Sequence, residues 1–531
     1  MELLRNQPPT SGGECATCPL LNERDFLERI VGAYNRGTAE DELPAEEGMA
    51  RSLIPAGSAA LRDFSHIAPE IPQLIAENCV GCMECVTECP DTAILGKVAE
   101  PEALERKLAE VPDEALRTSL RQQFAVTNKY YKLPEKQGQA GGYFGIFIDP
   151  TKCKGCGECV DVCGEHRALR MIGKTEENLS WYGQVLQFYR SLPETPRRFI
   201  NEKALVDMML LDSALLHVGG GGACMGCGEA TALRMMLAAT GFVHGPNSVG
   251  MVAATGCNTV AGSTYPFNPF RVPWTSSLFE NAPADAIGIR LRWDQIGWQD
   301  KKLWVIGGDG AMADIGFQSL SRMLISGLDI NVLILDTQVY SNTGGQASSL
   351  TYTGQDAKMS AYGKVQHGKR ERRKELAQIC MAHPEVFVAA TTPAHPNHFY
   401  KAVMAANEYP GPAVILCYTV CQPEHGVADD ASWHQAKLAV DSRTFPILIH
   451  DPRKGPRLKD RLSLQGNPNM KEDWFHHPKT GEPIDFTYFA RTEGRFAKHF
   501  DKDGHPSAEL LQAQEGRLAN WHNLQELAGF R

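Results

Sequence analysis

The sequence predicts an α/β protein in which a doubly wound parallel-sheet domain is preceded by a smaller, ferredoxin-like α+β domain. Two observations support this prediction. Residues 303–346 read as apolar strand, glycine turn, helix and second apolar strand, which is the order of a βαβ unit. Earlier in the chain, eight cysteines fall into two copies of one metal-binding spacing. The two halves of the chain therefore differ in architecture and in chemistry.

The βαβ unit begins with the apolar run 303–306, which stops at a Gly-Gly-Asp-Gly turn (307–310). A helix is predicted next, because apolar residues recur at helical spacing and Gly327 occupies the expected C′ position. Its apolar residues are Phe317, Leu320, Met323 and Leu324. A second strand, 332–335, runs into Asp336 and Thr337. Ligands bind at the carboxyl ends of such strands.

The residues at that sheet edge suit a metal and a phosphate. Asp309 offers a carboxylate between Gly308 and Gly310, Thr337 offers a hydroxyl, and the backbone after it offers the Val339 carbonyl. Hard oxygens of this kind suit Mg2+, and the helix that follows Gly310 presents amides to a diphosphate. Asp-Gly is also common turn chemistry. The second polar cluster after the next strand (341–343) favours a binding site.

Length and composition narrow the functional classes. The chain has 531 residues, enough for several cores, and its net charge of −10 argues against a general nucleic-acid binder. No apolar run reaches the roughly 18 residues of a membrane span, and the first residues lack the apolar core of a signal peptide. We therefore expect a cytoplasmic protein with no membrane span.

Sixteen cysteines in a long chain of this kind indicate metal binding rather than disulfides. In the two-cluster ferredoxin spacing, the fourth cysteine of each motif reaches the other cluster. One [4Fe–4S] cluster is thus predicted on Cys79, Cys82, Cys85 and Cys163, and a second on Cys153, Cys156, Cys159 and Cys89. The second motif departs from the usual pattern, because Gly164 stands where proline is common.

The predicted domain order follows from these motifs. Residues 1–70 form an N-terminal extension, in which the isolated pair Cys15 and Cys18 is predicted not to bind metal, with half a zinc site as the alternative. Residues 71–175 form the ferredoxin-like domain. Its insert, 98–145, is expected to cover the clusters or to dock a partner, with a surface excursion as the alternative. The chain continues with a linker that becomes helical (176–216) and the main α/β domain (217–430). It ends with a C-terminal segment (431–531) that is expected to wrap around the main domain or its partner.

Four further cysteines follow apolar or glycine-rich stretches of the main domain. Cys224 and Cys227 lie in GGGGACMGCGEA, Cys257 lies in ATGCNT, and Cys421 follows the apolar run 413–418. Cysteines at strand ends of one domain can converge on a third [4Fe–4S] cluster, although their spacing alone does not establish it. Cys380 and Cys417 are predicted to be buried apolar thiols.

YSNTGGQ (340–346), the GDG turn and the CxGCGE, ATGC and YTVC segments together resemble the pyruvate:ferredoxin oxidoreductase family. The resemblance covers residue 70 to near the C-terminus and implies thiamine diphosphate with Mg2+ held by Asp309, Thr337 and Val339. It implies a third [4Fe–4S] cluster on Cys224, Cys227, Cys257 and Cys421, and a cofactor-pocket segment at 273–281. The other cofactor-binding residues that it implies are Gly308, Gly310, Asn342, Cys257, Gly226 and Glu229, and Asn342 is also predicted to be catalytic.

The resemblance implies thiamine-dependent oxidative decarboxylation of pyruvate with coenzyme A to acetyl-CoA and CO2, or the reverse reaction. Electrons would pass through three clusters to ferredoxin or flavodoxin. In this family a separate pyrimidine-binding domain supplies the glutamate that faces the aminopyrimidine ring, together with most substrate and coenzyme A contacts. Nothing in this sequence resembles that domain. We therefore expect a companion subunit that carries it, in a dimer of heterodimers.

Several alternatives remain open. Enzymes of 2-oxoglutarate, indolepyruvate and oxalate share this plan, although YSNTGGQ and the cluster placement favour pyruvate. An electron-transfer subunit with a vestigial thiamine site is disfavoured by Asp309, Thr337 and Asn342, and a non-redox carboligase by the cluster cysteines. The basic run 369–374 is expected to be a solvated face, or else to attract an acidic ferredoxin. Among the histidines, only His425 approaches a candidate site residue, because it follows Cys421.

Overall fold

The computed structural model describes residues 22–44 and 53–531. The prediction for Cys15 and Cys18 therefore lies outside the described residues. Within these ranges, no helix is long and apolar enough to cross a lipid bilayer. The prediction of a parallel-sheet α/β domain preceded by a ferredoxin-like domain is confirmed.

The ferredoxin-like domain contains two small antiparallel sheets. β1 and β5 pair with each other, and β2, β3 and β4 form a three-stranded sheet with β4 in the centre. The strands are β1 (Glu70–Leu74), β2 (Ile94–Ala99), β3 (Phe124–Ala125), β4 (Tyr143–Ile148) and β5 (Leu169–Gly173). The helices are α1 (Glu84–Glu88), α2 (Pro101–Ala109), α3 (Glu114–Arg121), α4 (Glu158–Cys163) and α5 (Glu176–Ser191). Thus α1 carries Cys85 of the first motif, and α4 carries Cys159 and Cys163 of the second.

Helix α5 opens the predicted linker and packs into the ferredoxin-like domain. A capping box at Thr175 and Asn178 starts the helix. Its buried Val185 and Phe188 belong to the same apolar cluster as Phe147 of β4. Residues 176–191 are therefore part of the small domain's core.

An eight-stranded sheet forms the centre of the second half of the chain, in the order β13-β12-β10-β11-β9-β8-β6-β7. The strands are β6 (Val249–Ala254), β7 (Trp274–Ser277), β8 (Lys302–Gly308), β9 (Asn331–Asp336), β10 (Phe387–Thr391), β11 (Ala413–Tyr418), β12 (Leu448–His450) and β13 (Leu462–Ser463). Strands β6 to β11 pair in parallel, and β12 and β13 pair antiparallel at one edge. Two further short strands, β14 (Phe475–His476) and β15 (Pro483–Ile484), pair with each other.

Helices cover both faces of this sheet, as in a doubly wound domain. They are α6 (Gly228–His244), α7 (Cys257–Ser263), α8 (Ala282–Gln295), α9 (Phe317–Leu324), α10 (Pro396–Glu408), α11 (Ser432–Asp441) and α12 (Ala508–Leu527). Alternate strand residues point to opposite faces, so Trp304 and Leu333 pack into one core while Val305 and Val332 pack into the other.

The βαβ unit differs from its prediction in two details. A π-helical turn, Ala311–Ile315, separates the GDG turn from α9. Helix α9 is capped at Ile325, so Gly327, in its left-handed conformation (φ 72°), occupies the C″ position and not the predicted C′ position. The sheet also continues into residues 431–531, because β12 and β13 bury Leu448 and Leu462 at its edge.

Helix α11 of the main domain contacts the ferredoxin-like domain. The buried Glu158 carboxylate of α4 accepts hydrogen bonds from the backbone N–H groups of Ser432 (3.0 Å) and Trp433 (2.6 Å). These are the first residues of α11, where the helix dipole favours a negative charge. The contact fixes the second cysteine motif against the main domain.

Candidate functional site

Three oxygen atoms predicted to bind a metal meet where β8 and β9 end side by side. The Thr337 hydroxyl lies 3.2 Å from Asp309 Oδ1 and 3.1 Å from the Val339 carbonyl oxygen. An octahedral Mg2+ with ligands at about 2.1 Å places neighbouring ligand atoms about 3 Å apart. The spacing of the three oxygens therefore fits Mg2+.

The electrostatics of this corner also fit a cation. Asp309 is buried, and burial together with the Asp336 carboxylate raises its pKa well above the usual range. The Ser348 hydroxyl donates to Asp309 Oδ2. Asp336 is already paired with Arg373, so a cation beside the cleft would neutralise the buried Asp309 carboxylate.

The loop after β9 has a strained conformation that aims the Val339 carbonyl. Gln338 is fully buried with φ 60°, a left-handed value that is uncommon outside glycine. Its side-chain amide donates to the Asp336 carbonyl, and Arg495 donates to its side-chain oxygen at 2.9 Å. Sequence reasoning missed both Gln338 and Arg495, because their pairing spans 157 positions.

The predicted cofactor residues line one cleft. It is bounded by Glu229, Thr255, Gly256, Cys257, Asn258, Phe279, Gly308, Asp309, Gly310, Ala311, Thr337, Val339, Tyr340, Ser341, Asn342 and Thr343. Asn342 is exposed, and Glu229 is buried, which raises its pKa to about 8. From the pocket segment 273–281, Phe279 is the residue that lines the cleft. Gly226 lies outside it.

Gly310 is required in this cleft for a steric reason. A Cβ atom at Gly310 would lie 2.4 Å from the Tyr340 ring, whose hydroxyl donates to the Gly310 carbonyl at 3.2 Å. The aromatic ring thus packs directly on the GDG turn. This contact links the turn after β8 to the YSNTGGQ segment after β9.

The four cysteines of the main domain converge beside the cleft. Burial, Glu229 and the thiols of Cys227, Cys421 and Cys224 all raise the pKa of Cys257. Cys257 starts α7 at the end of β6, and Cys421 follows β11. The order of the strands thus brings together thiols that are far apart in sequence.

The ferredoxin-type cysteines form two further groups of four. Cys79, Cys82, Cys85 and Cys163 line one cavity. Burial and the thiols of Cys82 and Cys163 raise the pKa of Cys79 to about 11. In the other group, burial and the thiol of Cys89 raise the pKa of Cys153 to about 12. Each motif therefore places its fourth cysteine beside the other motif's first three.

These thiol groups fit iron–sulfur clusters. All fourteen described cysteines are free, and burial together with neighbouring thiols raises the pKa of Cys85 and that of Cys159 well above the usual range. Iron would supply the positive charge that lets such thiols ionise. Cys380 and Cys417 are completely buried, as predicted for apolar thiols.

Each CxGC segment contains a glycine in the left-handed region. The φ values are 76° at Gly81, 73° at Gly155 and 66° at Gly226. At Gly226 a Cβ atom would lie 1.8 Å from the Asp429 carbonyl oxygen. The glycine therefore permits the turn that brings Cys224 and Cys227 to the same side.

One sequence interpretation needs correction in part. In the basic run 369–374, Arg370 and Arg372 are exposed, as expected of a solvated face. Arg373, however, is buried in an ion pair with Asp336, and the buried Lys369 donates to the Thr351 carbonyl at 2.9 Å.

His425, the histidine that approached a candidate site residue in the sequence, is fully buried. Its Nε2 lies 2.9 Å from the Thr337 carbonyl oxygen. Arg373 and His425 therefore contact the last residue of β9 and the residue that follows it.

Two protein-family models match parts of the chain. A family model described as "Thiamine pyrophosphate enzyme, C-terminal TPP binding domain" matches residues 254–417, and one described as "4Fe-4S dicluster domain" matches residues 78–169. A 2-oxoglutarate:ferredoxin oxidoreductase from Magnetococcus marinus superposes with a TM-score of only 0.33 at 21% identity, over 38% of this chain and 64% of that chain.

Curated relatives extend over most of the chain. Pyruvate:ferredoxin oxidoreductase of Moorella thermoacetica is 28% identical, over 85% of this chain and 42% of the relative. Pyruvate-flavodoxin oxidoreductase of Rhodospirillum rubrum is 28% identical, over 95% of this chain and 45% of the relative. The chain thus spans less than half the length of the relatives that it matches. It is a homologue of the pyruvate:ferredoxin and pyruvate-flavodoxin oxidoreductases that contains a 4Fe-4S dicluster domain and a thiamine pyrophosphate-binding domain.

Proposed function

We propose that this chain supplies the thiamine diphosphate site and the electron path of a 2-oxoacid oxidoreductase whose preferred substrate is pyruvate. One observation carries the proposal: the oxygens of Asp309, Thr337 and Val339 lie in the same cleft as Cys257, one of four converging thiols. A carbanion-stabilising cofactor and a one-electron acceptor would therefore be neighbours. Redox-inactive thiamine enzymes have no use for that arrangement.

Thiamine diphosphate, when bound, supplies the carbanion-stabilising centre for decarboxylation of a 2-oxoacid. The residues of this chain hold and surround it. Asp309, Thr337 and the Val339 carbonyl would hold Mg2+, which in turn would hold the diphosphate. Phe279 and Glu229 close the cleft, and Asn342 at its exposed mouth would contact the reacting groups.

Three [4Fe–4S] clusters would then carry electrons outward in a definite order. Lys154, between Cys153 and Cys156, donates to the carbonyls of Gly221 (3.1 Å) and Ala223 (2.7 Å), just before Cys224. The Cys153 group therefore adjoins the group beside the cleft.

The Cys79 group would be the exit. Cys79 lines an open cleft with Phe124 of the insert and Trp181 of α5. The insert therefore forms one side of a surface cleft that reaches this cysteine group. A ferredoxin or flavodoxin docked there would be the acceptor.

We propose that a companion subunit, with pyrimidine-binding and coenzyme A domains, covers the cleft mouth. Two exposed apolar side chains lie close in sequence to residues that line the cleft. Leu278 precedes the cleft residue Phe279, and Val260 lies on α7, the helix that begins at the cleft residue Cys257. Exposed apolar groups around a concave site are typical of protein interfaces. Two such pairs would form a dimer of heterodimers.

The test is viologen reduction by the anaerobically purified native complex with a panel of 2-oxoacids, with and without coenzyme A. We expect pyruvate to be preferred and coenzyme A to be required. Preference for 2-oxoglutarate, indolepyruvate or oxalate would overturn the substrate and retain the reaction class. No reduction by a complex that contains thiamine diphosphate and full iron would overturn the proposal.

A further inference from the structure

We propose that His425 is a positioning residue that ties the metal-binding loop 337–339 to the cysteine segment at Cys421. This inference rests on the proposed function, because it concerns the predicted ligands Thr337, Val339 and Cys421. Cys421 directly precedes one helical turn, Gln422–His425. The turn brings His425 Nε2 to 2.9 Å from the Thr337 carbonyl oxygen.

The hydrogen bond has only one possible direction. A carbonyl oxygen accepts only, so Nε2 of His425 must carry the proton and donate. Nδ1 faces the Glu493 carboxylate at 3.7 Å, beyond hydrogen-bond distance. Glu493 is itself paired with Arg495 at 2.6 Å, and all three side chains are buried. The imidazole is thus fixed by its surroundings to donate toward Thr337.

The same buried group holds the next residue of the loop. Arg495 donates to the side-chain oxygen of Gln338, whose backbone has the left-handed φ of 60°. A backbone in this region persists only when the surrounding structure holds it. His425 holds the Thr337 carbonyl and Arg495 holds Gln338, so the two together set the direction of the Val339 carbonyl.

One further contact connects the cysteine segment to this loop: the N–H of Thr419 donates to the Asp336 carbonyl at 3.0 Å. Within the cysteine segment, the N–H of His425 donates to the Cys421 carbonyl at 2.8 Å. Residues 419–425 and 336–337 are therefore hydrogen-bonded at two points, one through backbone and one through His425. Loss of the side-chain contact should loosen the metal loop and leave the cysteine segment in place.

Replacing a residue that holds a metal ligand in place typically changes the metal affinity by about 10- to 100-fold. The experiment measures Mg2+-dependent binding of thiamine diphosphate to the anaerobic native complex, together with iron per chain and the electron paramagnetic resonance signal of the reduced clusters. His425→Phe keeps a ring and removes the donor, whereas His425→Gln keeps an N–H near the Nε2 position. His398→Leu is the matched control, since His398 is buried beside Thr391 of β10.

We expect Mg2+ binding to weaken by about 10- to 100-fold in H425F and to recover to within a few-fold in H425Q, with iron unchanged in both. H398L should bind Mg2+ like the wild type. Wild-type Mg2+ affinity in H425F would overturn this inference but not the proposed function. Equal loss of iron in H425F and H425Q would have the same consequence. If H425F does not fold, a loss of Mg2+ affinity of about 10-fold or more in H425Q would also overturn the inference, because that variant keeps the N–H donor. Failure of the wild-type complex to bind thiamine diphosphate would overturn the proposed function and, with it, this inference.

Discussion

The guanidinium of Arg373 donates to the carboxylate of Asp336 in a fully buried ion pair, one residue before Thr337. Arg373 also donates to the Leu350 carbonyl and lies over the Tyr352 ring. The pair therefore fixes the end of β9 to the segment that follows YSNTGGQ. It neutralises one of the two carboxylates at the bottom of the site.

Replacing Arg373 should destabilise the main domain. Arg373→Met leaves the Asp336 carboxylate buried without its partner, a change that typically costs about 3–5 kcal/mol. The free energy of unfolding in urea measures the effect. The double variant R373M/D336N should recover part of the loss, and R370M, at an exposed position, should stay within about 0.5 kcal/mol of the wild type. An R373M variant as stable as R370M would contradict the interpretation.

Removing the predicted metal carboxylate should abolish tight Mg2+ binding. Asp309→Asn takes away the only charged member of the three-oxygen set, so we expect Mg2+ affinity to fall by at least about 100-fold. Equilibrium dialysis with thiamine diphosphate measures it. Asp329→Asn is the matched control, because Asp329 pairs with Lys302 before β9 begins, at the opposite end of the strand. Unchanged affinity in D309N would show that the metal binds elsewhere.

Iron content should distinguish the cysteine assigned to the third cluster from its buried neighbour. Cys421→Ser should reduce iron from about twelve to about eight atoms per chain, since one [4Fe–4S] cluster is lost. Cys417→Ser alters a thiol that is buried in β11 and should retain all the iron. Equal iron in the two variants would refute the assignment of Cys421.

The turn in the third CxGC segment should tolerate no side chain. Gly226→Ala would force a Cβ atom into the Asp429 carbonyl at a left-handed φ, and we expect loss of the cluster beside the cleft. Gly288→Ala is the control, because nothing lies within 4 Å of a Cβ at that helical position. Iron analysis and thermal melting of the two variants provide the comparison. A fully loaded, stable G226A protein would contradict the close approach seen at Gly226.

Two histidines away from the site, the half-buried His395 and the buried His398, should make the protein sensitive to mild acid. Burial lowers the pKa of His395 to about 4 and that of His398 to about 3. The folded state then binds fewer protons than the unfolded state below pH 6.5, so stability is full above that pH and falls as the pH drops. Each histidine should contribute a loss of about 1.4 kcal/mol per pH unit.

The comparison of wild type with His398→Gln checks this expectation. Urea unfolding at pH 7 and pH 5.5 should show a smaller decrease in the variant by about 1.3 kcal/mol, since the loss begins near pH 6.5. An exposed histidine, His505, offers the control H505Q, which should retain the wild-type pH dependence. Identical pH dependence in all three proteins would contradict the lowered pKa of His398.

Local patterns in the sequence determined most of the chemistry. The two ferredoxin motifs specify their own turns, and the apolar runs at 249–254 and 413–418 coincide with strands β6 and β11. The GDG turn and Thr337 were predictable as a pair because adjacent parallel strands end at one edge of the sheet. Each of these signals depends on residues a few positions apart.

Long-range packing decided the rest. Cys257 and Cys421 meet because β6 and β11 both end at the same edge of a sheet whose order does not follow the sequence. The burial of Arg373, which the basic run concealed, depends on a partner 37 positions away, and the His425 contact to Thr337 spans 88 positions. The antiparallel edge strand β12 likewise depends on its pairing with β10. Sequence periodicity reports which face of an element is apolar, whereas only the folded sheet determines which elements meet there.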